Sequence, residues 1–149
     1  MPRLIASRTA QYPLVAEFKF NFDDTAIDSV TGGLKTFGAA FGDAIVFDGI
    51  PLPVGAVITS GELIVDVAGV GPTAYTVAIG QVGTPASLLA ATSLAVVGRT
   101  ALTGLGTGHV GGANVRLTIA SSVANATAGR FRVRVGYTID NRSSEIQIS

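Results

Sequence analysis

The chain has 149 residues, with ten basic and ten acidic side chains, one histidine, and neither cysteine nor tryptophan; this is one domain's worth of sequence, long enough to bury a core. Zero cysteine excludes disulfides, zinc-thiolate centres, iron–sulfur clusters and thiol catalysis, and the lone His109 excludes a multi-histidine metal site within one chain. Balanced charge argues against direct binding to nucleic acid or a membrane surface, both of which are held by an excess of Lys and Arg, and the charged share of 13% beside 48% hydrophobic residues is low for a soluble domain.

Residues 1–13 hold Arg3 and Arg8 and no acid, framed by Pro2 and Pro13, and read as an extended N-terminal arm. Two readings of it stand: a frayed terminus, or an arm that orders on a neighbouring subunit with Leu4, Ile5 and Tyr12 as anchors. The start lacks the uninterrupted apolar stretch of a signal peptide. The longest nearly apolar run, 88–97, falls short of the ~20 residues that cross a bilayer.

Residues 14–22 alternate strictly, with Leu14, Ala16, Phe18, Phe20 and Phe22 on one side and Val15, Glu17, Lys19 and Asn21 on the other, the signature of a half-buried strand. The stretch 61–68 sets Leu63, Val65 and Val67 against Glu62, Ile64 and Asp66, and 74–80 aligns Tyr75, Val77 and Ile79. Residues 85–92 suit one or two helical turns with Pro85 in the first turn. Then 114–120 sets Val115, Leu117 and Ile119 against Arg116 and Thr118, and 131–139 aligns Phe131, Val133, Val135, Tyr137 and Ile139. Thr31-Gly32-Gly33, Asp48-Gly49, Pro51-Leu52-Pro53, Gly69-Val70-Gly71-Pro72, Gly83-Thr84-Pro85 and Gly111-Gly112 read as turns between these runs. Short Val-, Thr-, Ile- and Phe-rich strands at this spacing predict an all-β sandwich or barrel occupying 14–149.

Catalytic chemistry finds no foothold. The acids lack the aromatic platforms of a glycosidase site. Asp23-Asp24-Thr25-Ala26-Ile27-Asp28 lacks the glycine spacing and closing Glu of an EF-hand and reads as a solvated acidic turn. The glycine-rich loop around His109 has no lysine and leads into a strand, unlike a phosphate-binding loop. No enzyme activity, cofactor or metal is therefore expected.

The most organised polar feature is Arg130, Arg132 and Arg134, a comb with teeth ~6.6 Å apart on one face of a strand whose other face is core. Three aligned like charges need acids opposite them. A neighbouring strand carrying Glu17, Glu62 or Asp66 satisfies them internally; the other solution is an acidic partner surface. Eight arginines against two lysines favour planar, bidentate contacts of the kind found at interfaces, and Arg99 and Arg142, near turns, are further interface candidates.

The segment Ile50-Pro-Leu-Pro-Val-Gly-Ala-Val-Ile-Thr-Ser-Gly-Glu-Leu-Ile-Val-Asp-Val, followed by Tyr75-Thr-Val-Ala-Ile-Gly80, Leu88-Leu-Ala-Ala-Thr-Ser-Leu and Gly98-Arg-Thr-Ala-Leu102, resembles the head decoration, or cement, proteins of tailed bacteriophages. Thr127-Ala-Gly129, Tyr137 and Asn141-Arg-Ser-Ser-Glu145 are similar to the ending of that family, while Gln81 stands where the family often has Asp and Leu88 where it often has Tyr. The resemblance implies a single antiparallel β-sandwich, jelly-roll-like, on the outer surface of a virion's capsid. The implied partners are the major capsid protein and further copies of the chain, expected as a trimer, with no direct nucleic acid and no membrane. Arg3, Leu4, Ile5, Arg8, Tyr12, Arg99, Arg130, Arg132, Arg134 and Arg142 are then the candidate capsid or subunit contacts. A phage fibre or tail module that binds a receptor or carbohydrate is the alternative, and it requires an exposed aromatic platform.

Overall fold

The computed structural model describes residues 14–39, 44–105 and 114–139. Arg3, Leu4, Ile5, Arg8 and Tyr12 of the expected arm, as well as His109 and Arg142, lie outside the described residues.

Alternating apolar residues build ten strands: β1 (Leu14–Asn21), β2 (Thr25–Ile27), β3 (Leu34–Thr36), β4 (Ile45–Ile50), β5 (Ala56–Val70), β6 (Ala74–Gln81), β7 (Thr84–Ser93), β8 (Gly98–Ala101), β9 (Val115–Ser122) and β10 (Ala128–Ile139). Each long strand must bury one face, and two four-stranded sheets do this for each other. One has the order β1-β10-β5-β8 and the other β4-β9-β6-β7; β2 and β3 form a separate ribbon. All pairings are antiparallel. Of the connections between the eight sandwich strands, only the β6–β7 hairpin stays within one sheet. Every other connection crosses between sheets, which is the double Greek-key path of a jelly roll.

Phe20 and Phe131 from the first sheet and Phe37, Phe47 and Tyr75 from the second sheet and its flanking connection form the aromatic centre of the core. Phe131 lies 5.2 Å from Phe20 and 5.6 Å edge-on from Tyr75, so the cluster bridges the two sheets. Room for the Phe131 ring comes from Gly129, whose φ of 149° favours glycine and where a Cβ would sit 2.5 Å from the ring. The Tyr75 hydroxyl donates to the Phe37 carbonyl at 3.2 Å, and burial pushes its phenol pKa upward.

Three local readings of the sequence are corrected. Residues 85–92 are not helical: the Val82-Gly83 turn, with Gly83 at φ 82°, folds β7 back onto β6 as an edge strand. Register shifts along that pair bury the consecutive Leu88 and Leu89, a spacing that mimics a helical face. Asp48-Gly49 is no turn; it lies within β4 at a bulge opposite β9. Finally, Val67 does not join Leu63 and Val65 in the core, since the β5–β10 register shifts around Arg130 and leaves Val67 40% exposed beside it.

Candidate functional site

Two surfaces stand out, one charged and one apolar. The charged one is the outer face of the β1-β10-β5-β8 sheet, where Lys19, Arg99, Arg130, Arg132 and Arg134 meet Glu17, Glu62 and Asp66. Cross-strand register sets the pairs: Arg134 lies between Glu17 and Glu62, and Arg132 between Lys19 and Ile64. Arg132 donates from Nε and Nη2 to the two Asp66 carboxylate oxygens at 2.6 and 2.9 Å, and Arg134 donates twice to Glu17 at 3.1 and 3.0 Å. Arg99 reaches Glu62 at 2.9 Å, Arg134 lies 3.6 Å from the same carboxylate, and Lys19 lies 3.4 Å from Glu17. The Arg134 hydrogen bond holds Glu17, and the Arg132 hydrogen bond holds Asp66, below the usual carboxylate range; Asp66 in turn raises Arg132. Ile64, on this outer face, is nevertheless buried, flanked across the strands by the stems of Arg132 and Arg99.

The structure thus brings together four of the sequence-derived candidates, Arg99, Arg130, Arg132 and Arg134; of the comb, Arg132 and Arg134 meet acids expected opposite them, and Arg99, read from the sequence as an interface candidate, is also paired, with Glu62. Arg130 differs. Its cross-strand neighbours are Asn21 and Val67, and it makes no ion pair among the described residues. Arg132→Glu is therefore expected to lower the melting temperature, because it sets a third acid between Glu17 and Asp66, whereas Arg130→Glu, which loses only a through-space attraction to Asp66, lowers it far less; parallel thermal melts of the two variants check this ordering.

The apolar surface follows from the topology. The antiparallel path gathers the β1–β4, β5–β6, β7–β8 and β9–β10 connections at one end of the sandwich. Hydrogen bonds tie them together, from Thr127 N to Val70 O (2.8 Å), Thr73 N to Ser122 O (3.1 Å), Gly69 N to Leu94 O (2.8 Å) and Ala126 N to Gly38 O (2.6 Å). Among the described residues, Ile27, Val30, Leu34, Val70, Val96, Val97 and Val123 are exposed at or beside these connections, whereas Val15, Val54, Val82 and Leu105 are exposed at or toward the opposite end. Scattered single apolar residues are ordinary, and at this end they are more concentrated than at the other.

Asp28 sets the position of the β2–β3 ribbon, which carries three of these side chains. Its carboxylate is 1% exposed. Oδ1 accepts the Val46 amide of β4 at 3.0 Å, and Oδ2 accepts the Thr31 hydroxyl at 2.8 Å and pairs with Lys35 Nζ at 3.0 Å. The Val46 amide above all, with the Thr31 and Lys35 hydrogen bonds, holds the Asp28 pKa far below its ordinary value. The acidic stretch 23–28 is thus not simply a solvated turn, since its last residue is the internal anchor of the ribbon. Asp-x-x-Thr before Gly-Gly is the available sequence signal, an Asp accepting from the turn that follows it.

Val123 adds a second oddity at this end. It is 83% exposed and has φ of 74°, a conformation that costs a β-branched residue strain. Val123→Asn, which tolerates that backbone, should stabilise the free protein by about 0.5–1 kcal/mol in a urea titration.

Among the described residues no group of three His, Cys, Asp or Glu side chains is placed to hold a metal ion, and no helix is long and apolar enough to cross a membrane.

Fold and surfaces together define an eight-stranded antiparallel jelly roll with one charged sheet face and one apolar end. No protein-family model matches the sequence, and no curated protein is significantly similar to it. Among solved structures, the fold is similar to that of a chain in the cyanophage Pam1 capsid asymmetric unit, with a TM-score of 0.61 and 21% identity over 93% of this chain and 94% of that one. The likeness is one of fold, and it runs nearly end to end in both chains.

Proposed function

We propose that this chain is a bacteriophage decoration protein: it binds the outer surface of the major capsid protein lattice as a homo-oligomer, expected as a trimer, and stabilises the head. The observation that carries the reading is the end-to-end fold likeness to a chain of a phage capsid asymmetric unit. A match that accounts for almost the whole of both chains means that the neighbour, too, is a single sandwich of about this size. The apolar end supports the same reading, because a shell component needs a surface destined to be covered, and charge-poor composition accompanies it.

Such a protein works without catalysis, cofactor or metal. Binding the assembled lattice but not its dissociated subunits stabilises the assembled state by mass action, about 2.7 kcal/mol per site at a hundredfold excess over Kd. Repetition over a symmetric shell lets modest individual contacts suffice. A carbohydrate-binding fibre or tail module is less well supported, since Tyr75 is buried and the clustered phenylalanines belong to the core.

The test is sedimentation with expanded empty capsids. Saturable, stoichiometric co-sedimentation is expected, and its absence would sink the proposal. Capsids carrying the protein should also disassemble at a higher temperature than bare ones.

A further inference from the structure

The β5–β10 register shift leaves an open groove of about 690 Å³ where the charged sheet face meets the apolar end. Phe22 and Val67 give it an apolar floor, Asn21 and Thr127 offer hydrogen-bonding groups, and Lys19 and Arg130 supply positive charge. Arg132 also lines it but is already held by Asp66 through two hydrogen bonds.

The charge is unevenly compensated. Five cations and three acids share this sheet face, and the ion pairs concentrate on Arg99, Arg132 and Arg134. The excess is left at the groove: Arg130 makes no ion pair among the described residues, and Lys19 is 72% exposed beside a Glu17 that Arg134 already occupies. Asp23, at the lip, offsets one unit of this charge and leaves the groove net positive.

We propose that this groove is a docking site for a carboxylate-bearing segment of a partner protein, which under the decoration reading, on which this inference rests, is an acidic segment of the capsid shell. Arg130 is the one guanidinium of the comb that makes no ion pair or side-chain hydrogen bond to an acid among the described residues, and its planar face can receive a carboxylate bidentately. The neighbouring apolar floor accepts an aliphatic residue adjacent to that acid. Register explains why Arg130 makes no ion pair of its own: the residues directly opposite it are Asn21 and Val67, and Asp66, one position along β5 at the bulge, is held by Arg132 through two hydrogen bonds and meets Arg130 only through space.

The experiment compares full-length wild type, Arg130→Glu, Lys19→Glu and Arg132→Glu in shell co-sedimentation at low and high salt, with thermal melts of each free protein. Arg130→Glu is expected to weaken shell binding roughly tenfold or more and to flatten its salt dependence while lowering the melt far less than Arg132→Glu does. Lys19→Glu should act in the same direction by a smaller factor. Wild-type binding that Arg130→Glu leaves intact overturns this inference alone. So does a melting temperature depressed by Arg130→Glu as much as by Arg132→Glu, which returns Arg130 to the internal network. Arg130-dependent retention of a duplex DNA fragment at physiological salt also overturns it by assigning the groove to nucleic acid. Failure of the wild type to sediment with shells overturns the decoration reading and this inference together.

Discussion

Replacing Asp28 with asparagine should cost the free protein about 3 kcal/mol at neutral pH, because it breaks a buried ion pair and leaves Lys35 facing a neutral amide. Asp28 holds the Val46 amide, the Thr31 hydroxyl and Lys35 at once, at 3.0, 2.8 and 3.0 Å. An amide retains at most part of that set, since one of its two terminal groups is a donor aimed at donors. The effect carries a pH signature. The folded-state pKa of Asp28 is depressed relative to the unfolded chain, so its contribution is fully present above about pH 4 and is lost as the pH falls through and below that value. Urea titrations of wild type and Asp28→Asn should therefore differ most at pH 7 and converge toward low pH; a constant difference would mean that the carboxylate charge is not what matters. Because Asp28 anchors the ribbon bearing Ile27, Val30 and Leu34, the same variant should, under the proposed decoration role, also bind capsids more weakly.

Phe131→Ala is expected to cost 3–5 kcal/mol, as a large cavity at the centre of a packed core does. Phe131 is fully buried and lies between Phe20 of its own sheet and Tyr75 of the opposite one. Truncation removes a ring that packs between the two sheets, and the neighbouring glycine backbone offers no side chain to fill the gap. Equilibrium denaturation should show the midpoint falling with little change in slope, the mark of lost stability without lost cooperativity. Phe131→Leu, which keeps most of the volume, should recover a large part of the loss.

These two positions differ in how far the sequence announced them. Phe131 sits in the longest clean alternation of the chain, and its inward direction is legible from period two alone. Asp28 was hidden in a run of acids because its role depends on β4, whose Val46 lies 18 residues further along the chain. The apolar end was equally hidden. Val70, Val96 and Val123 are single residues at separate turns, and only the crossing path of the strands collects them. The helical reading of 85–92 failed because a bulged edge strand can bury two adjacent leucines, a pattern that local periodicity assigns to a helix.

Local alternation by itself determined that this chain is all-β, which residues of its main strands face inward apart from Val67 beside the bulge, and that the arginine comb stands on the outer face. It did so because side chains on a strand alternate regardless of what lies beside it. Only the tertiary structure decided the rest: the jelly-roll order of the sheets, the ion pairs that occupy Arg99, Arg132 and Arg134, and the open position of Arg130. Those depend on which strands become neighbours and in what register, and the pairing of Arg134 with Glu17 joins residues 117 positions apart. Choice among the acids was therefore a matter of pairing geometry, and that geometry is a property of the whole sandwich.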